Sequence, residues 1–223
     1  MVRKIDEKPH EDEPEYATGP DDYLWYEMTI LSRWESPNKY QVLCIDVPSD
    51  LPSDLQKALA EREDPIDFAD PFALQADLWD RIVVYSDISV WRVRDPVRRL
   101  EKERLQGRLH PGDVFVPTHE FSRHAMHVSE VLEAAVGTIS AINRCRVEVH
   151  ACIPELSETY KCQTAEYARF QISLLENMKR RSDSNLARLA TEITFVSSPN
   201  GHHCSFSRDD KLYLVYRAVC LPN

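Results

Sequence analysis

No proline interrupts the chain between Pro154 and Pro199, and that stretch constrains the fold more than any other. Within it Tyr167, Phe170, Leu174 and Met178 recur at helical spacing. Leu186, Leu189 and Ile193 resume the pattern after the polar Lys179–Asn185 segment, so one side of a helix can pack while the other stays wet. Ser157 followed by Glu158 supplies a cap and a first-turn acid. The spacing therefore predicts a helix starting near Ser157 and running about 36 residues, roughly 55 Å. An ordinary globular helix is about a third of that.

Two more long helices are expected before it. Asp70-Pro71 combines an Asp cap with a proline at the first helical position, and a helix is predicted over 72–104. Trp79, Ile82, Val83, Val90, Trp91 and Val93 form its stripe, with a kink or break around Pro96. Thr118 is placed to cap a helix over 118–148 whose apolar residues, Phe121, Ala125, Val128, Leu132, Ala135, Ile139 and Ile142, repeat at intervals of four and three. Ahead of these, residues 23–34 and 40–47 are rich in aromatic and β-branched residues around Ser36-Pro37-Asn38 and predict a hairpin. In its second strand Leu43, Ile45 and Val47 alternate with Cys44 and Asp46, which assigns the former to the core. Ser53 and Gln56 are spaced as a capping box for a short helix over 54–62. The fold class expected is α+β and mostly α: a small antiparallel β-sheet packed with three long helices.

Composition narrows the partners. The net charge is −10, which argues against nucleic acid or an anionic membrane, since both require a basic face. Residues 1–22 hold eight acids and three bases and are expected to form a disordered acidic tail. They contain no apolar signal core, so a cytoplasmic location is expected. Six cysteines, Cys44, Cys145, Cys152, Cys162, Cys204 and Cys220, show no Cys-x-x-Cys spacing and read as free, buried thiols. The organisation expected is a tail over 1–22, a folded region over 23–193 and an unrelated extension over 194–223, and no segment of the chain is expected to span a bilayer.

The segment FQISLLENMKRRSDSNLARLATEI, with Arg181-Ser182-Asp183-Ser184-Asn185 at its centre, resembles the end of the cytoplasmic stalk in fungal CorA-like magnesium transporters. LCIDVPSDL, ADPFALQADLWDRIV and SVWRVRDPVRRLEKER are similar to further blocks of that family. So is THEFSRHAMHVSEVLEAAVGTI, where His119, Glu120, Arg123, His124, His127, Ser129 and Glu130 stand in matching places. The resemblance covers about Tyr23 to Ile193, in order. It implies a CorA cytoplasmic-domain-like fold and the soluble cytoplasmic domain of a divalent metal (magnesium) transporter that lacks its pore and is not transport-competent alone. The family's Gly-Met-Asn signature is absent.

Candidate ligands for a metal are few. Asp64, Asp67, Asp70, Asp77 and Asp80 form an acidic run whose oxygens suit a hard cation such as Mg2+ in a regulatory role, against the reading of a solvated edge with caps and turns. Glu120 and His124 lie one helical turn apart, and His124 shares a face with His127; packed histidines explain that face equally simply. His202, His203 and Cys204 form a second, terminal cluster. No phosphate loop, nucleophile elbow or zinc-protease motif occurs, so no enzymatic activity is expected. Self-association through the long helices is expected, because their stripes offer more apolar surface than a small sheet covers. A pore-less oligomeric scaffold or regulator is the alternative role, and a helical small-molecule binder or cofactor-free enzyme the third.

Overall fold

The computed structural model describes residues 5–7, 23–25, 28–35, 39–62, 66–107 and 111–197. They form two small antiparallel sheets and four helices. Strands β1 (Ile5–Glu7) and β2 (Tyr23–Trp25) pair with each other, and β3 (Thr29–Glu35) pairs with β4 (Lys39–Ile45). The helices are α1 (Leu51–Ala60), α2 (Gln75–Leu105), α3 (Pro111–Ala151) and α4 (Glu158–Ser197). The mostly-α α+β class expected from the pattern is what the chain adopts. Residues 5–7, expected to belong to a structureless tail, instead form β1. The terminal His202, His203 and Cys204 lie outside the described residues.

Helices α3 and α4, 41 and 40 residues long, form an antiparallel hairpin, and α2 lies against both. The α3 stripe is seated as its spacing dictates. Phe121, Ala125, Val128, Leu132, Ala135 and Ile139 are at most 8% exposed, and Ile142 is half-buried at the margin of the same cluster. These residues also make Phe121–Ala151 long and apolar enough to cross a membrane by length and composition, contrary to the expectation that the chain encodes no such segment. In this fold that face is the bundle seam.

The α4 stripe keeps Met178 and Leu189 of the expected one and is displaced from it elsewhere. Ala168, Gln171, Leu175, Met178, Ser182, Asn185, Leu189 and Glu192 are buried, an unbroken alternation of three- and four-residue steps. Phe170 is 57% exposed. Lys179–Asn185 is therefore no interruption: Ser182 and Asn185 carry the seam through it as small polar residues. At the other positions the large apolar side chains stand beside the buried residue, before it at 167, 170 and 174 and after it at 186 and 193, and mask the smaller or polar residues of the seam.

Several local expectations are corrected by hydrogen bonding. Asp50, not Ser53, precedes α1, with Pro52 in its first turn and the Ser53 hydroxyl donating back to the Asp50 carbonyl at 2.8 Å. Asp70 accepts from the Phe72 N–H and opens a turn, so α2 begins at Gln75. Ser157 does cap α4, its Oγ accepting from the Tyr160 N–H at 3.2 Å. Thr118 lies inside α3 rather than at its start. Pro96 does not split α2, which stays helical through it, and Trp91 leaves the stripe to pack under the Arg94 guanidinium, 4.3 Å from its ring centroid.

In the β3–β4 hairpin Tyr40, Val42 and Cys44 face inward, while Leu43 and Ile45 are 55% and 50% exposed. This reverses the expected phase for Leu43 and Ile45, whereas Val47, beyond the strand, does pack against the core. The face is chosen by bonds: the Trp34 indole N–H donates to the Phe68 carbonyl, and the Gln75 amide donates to the Ser32 hydroxyl. Ser32 pairs with Val42 and Trp34 with Tyr40, so those bonds turn Val42 and Tyr40 inward, and a strand's period of two does the rest. Asp46 then takes φ 51, a left-handed turn that Asp tolerates better than most residues. Cys44, Cys145, Cys152 and Cys162 are free, but the last three are exposed rather than buried.

Leu175→Ala should cost about 2–4 kcal/mol of unfolding free energy, whereas Phe170→Ala should cost about 0.5 kcal/mol or less. Urea denaturation of the two variants checks this, and equal losses would restore the sequence-based face. Acid should weaken the bundle through its inter-helix carboxylates. Arg188 on α4 holds both oxygens of Glu101 on α2, at 2.7 and 2.5 Å, and lowers the Glu101 pKa. Ser129 and Lys179 do the same to Asp183. A carboxylate with a depressed folded pKa contributes stability that is complete above its ordinary value near 4 and is lost as the pH falls through the lower, folded value. The urea midpoint should hold from about pH 7 to 5 and drop below about pH 4; the Glu101→Gln, Asp183→Asn variant should show a shallower drop.

Candidate functional site: a polar cavity closed by Asp70

Three elements meet at one end of the bundle: the turn before α2, the C-terminal end of α3 and the N-terminal end of α4. Asp70, 1% exposed, joins all three. Its Oδ1 accepts from the Phe72 N–H at 2.8 Å and lies 2.8 Å from His150 Nε2 on α3; its Oδ2 accepts from the Tyr160 hydroxyl on α4 at 2.9 Å. With Asp70 ionised, Nε2 is the protonated nitrogen of His150. The His150 ring meets Phe72 edge-on at 5.9 Å. Burial, reinforced by Asp70, pushes the Tyr160 pKa up and keeps the phenol a donor.

Beside this knot is a cavity of about 730 Å3. Four acids of the expected run, Asp67, Asp70, Asp77 and Asp80, line it together with Arg62 and Arg146. Most of that charge is engaged. Arg62 pairs with Asp77 at 2.7 Å. Asp80 accepts from the Tyr167 hydroxyl and the Gln171 amide, and burial, with Asp80 beside it, raises the Tyr167 pKa. Asp67 is exposed and uses Oδ1 to accept from the Ala69 N–H at 3.0 Å.

Arg146 is different. It is 3% exposed, its Nη2 donates to Asn143 at 2.6 Å, and its buried Nε has no hydrogen-bond partner. Among the described residues no carboxylate lies within ion-pair distance of it. Burial lowers its pKa, against the opposing pull of Asp70.

The expected metal ligands are not brought together. Among the described residues no three His, Cys, Asp or Glu side chains converge in a way that could hold a metal. Asp64 and the side chain of Glu120 lie outside the described residues. His124 is 26 positions before His150 on α3, roughly 39 Å along its axis, far from the acids. Asp67 and Asp70 do share the cavity, but Asp70 spends its lone pairs on Phe72, His150 and Tyr160. Sequence reasoning missed Arg146, His150 and Tyr160. The one available signal was an Arg four positions before a His, both on the buried side at the end of α3.

A second, apolar cavity of about 320 Å3 lies between the β3–β4 hairpin, α2 and α3. Phe72, Gln75 and Trp79 line both cavities.

No protein-family model matches the chain. It is similar to notoamide biosynthesis cluster protein M' of Aspergillus versicolor, with 28% identity over 138 residues. The match takes in 55% of this chain and 29% of that protein, so the chain spans less than a third of the length of this relative.

Proposed function

We propose that the chain is the soluble, cytoplasmic domain of a CorA-like divalent-cation transport protein, with no ion conduction of its own. The observation that carries this reading is that the separate sequence blocks resembling the family meet one another. In the stalk turn, Ser182 and Asn185 are buried in the seam. Asn185 reaches the carbonyl of Val90, in the Val-Trp run of α2, at 3.5 Å. Asp183 accepts from Ser129 of the His-rich α3 block at 2.5 Å and binds Lys179 at 2.9 Å. A long helical hairpin covered by a third helix and a small sheet is the arrangement that the resemblance implies.

The apolar stripe of α3 supports a packing role for that helix in place of a membrane role, because its seam residues already face the neighbouring helices. Association with further copies falls to surfaces outside the seam, where Met126, Val147 and Phe170 are 44%, 54% and 57% exposed.

The transcript and genomic DNA downstream of the Ile193 codon test this reading. Two apolar segments of about 20 residues each are expected in frame, directly or past an intron. A locus without them, joined to a failure of the purified chain to associate in sedimentation velocity with millimolar magnesium, overturns it.

A further inference from the structure

The acidic wall and the aromatic rings of the Asp70 cavity have structural partners, but Arg146 has only the neutral Asn143 amide and, among the described residues, no anion. A guanidinium removed from water is destabilising unless an anion meets it. Its Nε–H has no acceptor and the nearby Asp70 is committed elsewhere. Arg146 is therefore short of one anion, although the cavity as a whole is not. A phosphate or other multiply charged anion is disfavoured, since four carboxylates and only two guanidinium groups line the space. A singly charged carboxylate suits Arg146, whose planar fork matches it in two parallel bonds. Asp67, exposed at the rim with Oδ2 left over from its turn bond, suits a protonated amine. Phe72 and Trp79 offer apolar wall between them.

We propose that this cavity binds a small ammonium carboxylate, a free amino acid or short peptide, with its carboxylate on Arg146 and its amine toward the acidic rim. The site is independent of the transport reading and stands or falls without it. About 730 Å3 is within the range of small-molecule sites.

Isothermal titration calorimetry of the full chain against the twenty amino acids and a set of dipeptides tests the proposal, with 3-phenylpropionate and phenethylamine as analogues bearing one charge each. At least one ammonium carboxylate should bind at millimolar concentration or below, and single-charge analogues at least tenfold more weakly. Arg146→Met should lose that binding at least tenfold. Its melting temperature without ligand should equal or exceed that of the parent, because a buried cation without an anionic partner is replaced by an apolar chain of similar length. Binding by no member of the panel overturns the proposal, as does equal binding by the single-charge analogues. An Arg146→Met chain that melts earlier or fails to fold also overturns it, by making Arg146 structural.

Discussion

One buried carboxylate holds the connected end of the α3–α4 hairpin together. The α3–α4 hairpin closes through the short connection 152–157, and α2 arrives there from a turn held by three-residue backbone bonds such as Ala73 N–H to the Asp70 carbonyl. Asp70 gathers a backbone N–H, an imidazole and a phenol from these three places. A carboxylate so placed is stable because each partner is a donor and because water is excluded; hydrogen bonds to a charged group are worth about 1.5–3 kcal/mol each. The same knot fixes Tyr160 and Phe72 as walls of the cavity. Fold and candidate site thus share one residue.

Away from that end, the bundle depends on register. The α3 seam is apolar, but the facing α4 seam carries Gln171, Ser182, Asn185 and Glu192 among Ala168, Leu175, Met178 and Leu189. Small polar residues at such positions weaken burial and restrict the alignments in which their bonds are made. Asn185 finds the Val90 carbonyl, and Glu192 receives the Arg104 guanidinium at 2.7 Å. A slip of one heptad between α2 and α4 would leave both without partners. The outer ties, Arg188 to Glu101 and Ser129 to Asp183, act in the same sense.

How much of this could be read from the residues depended on the signal each element carries. The helices were legible because their apolar periodicity is long, and the α3 stripe is buried as expected from Phe121 to Ile139, with Ile142 at its margin. The α4 face was not, because Ser182 and Asn185 look like surface residues until a facing helix buries them. The phase of β4 failed for a related reason: seven residues alternate equally well either way, and the choice rests on bonds from Trp34 and Gln75 to distant partners. In the site, the acids were visible as a run. Their partners His150, Tyr160 and Tyr167 come from 80 or more positions further along the chain, and no local pattern links them.

Native-state hydrogen exchange on Asp70→Asn tests the central role of Asp70 most directly. The account predicts that amides of 147–151 and 158–164 lose protection together, while those of 128–139 in the middle of the α3 seam keep theirs. Unchanged protection at the two helix ends, or a uniform loss along the whole hairpin, would contradict it.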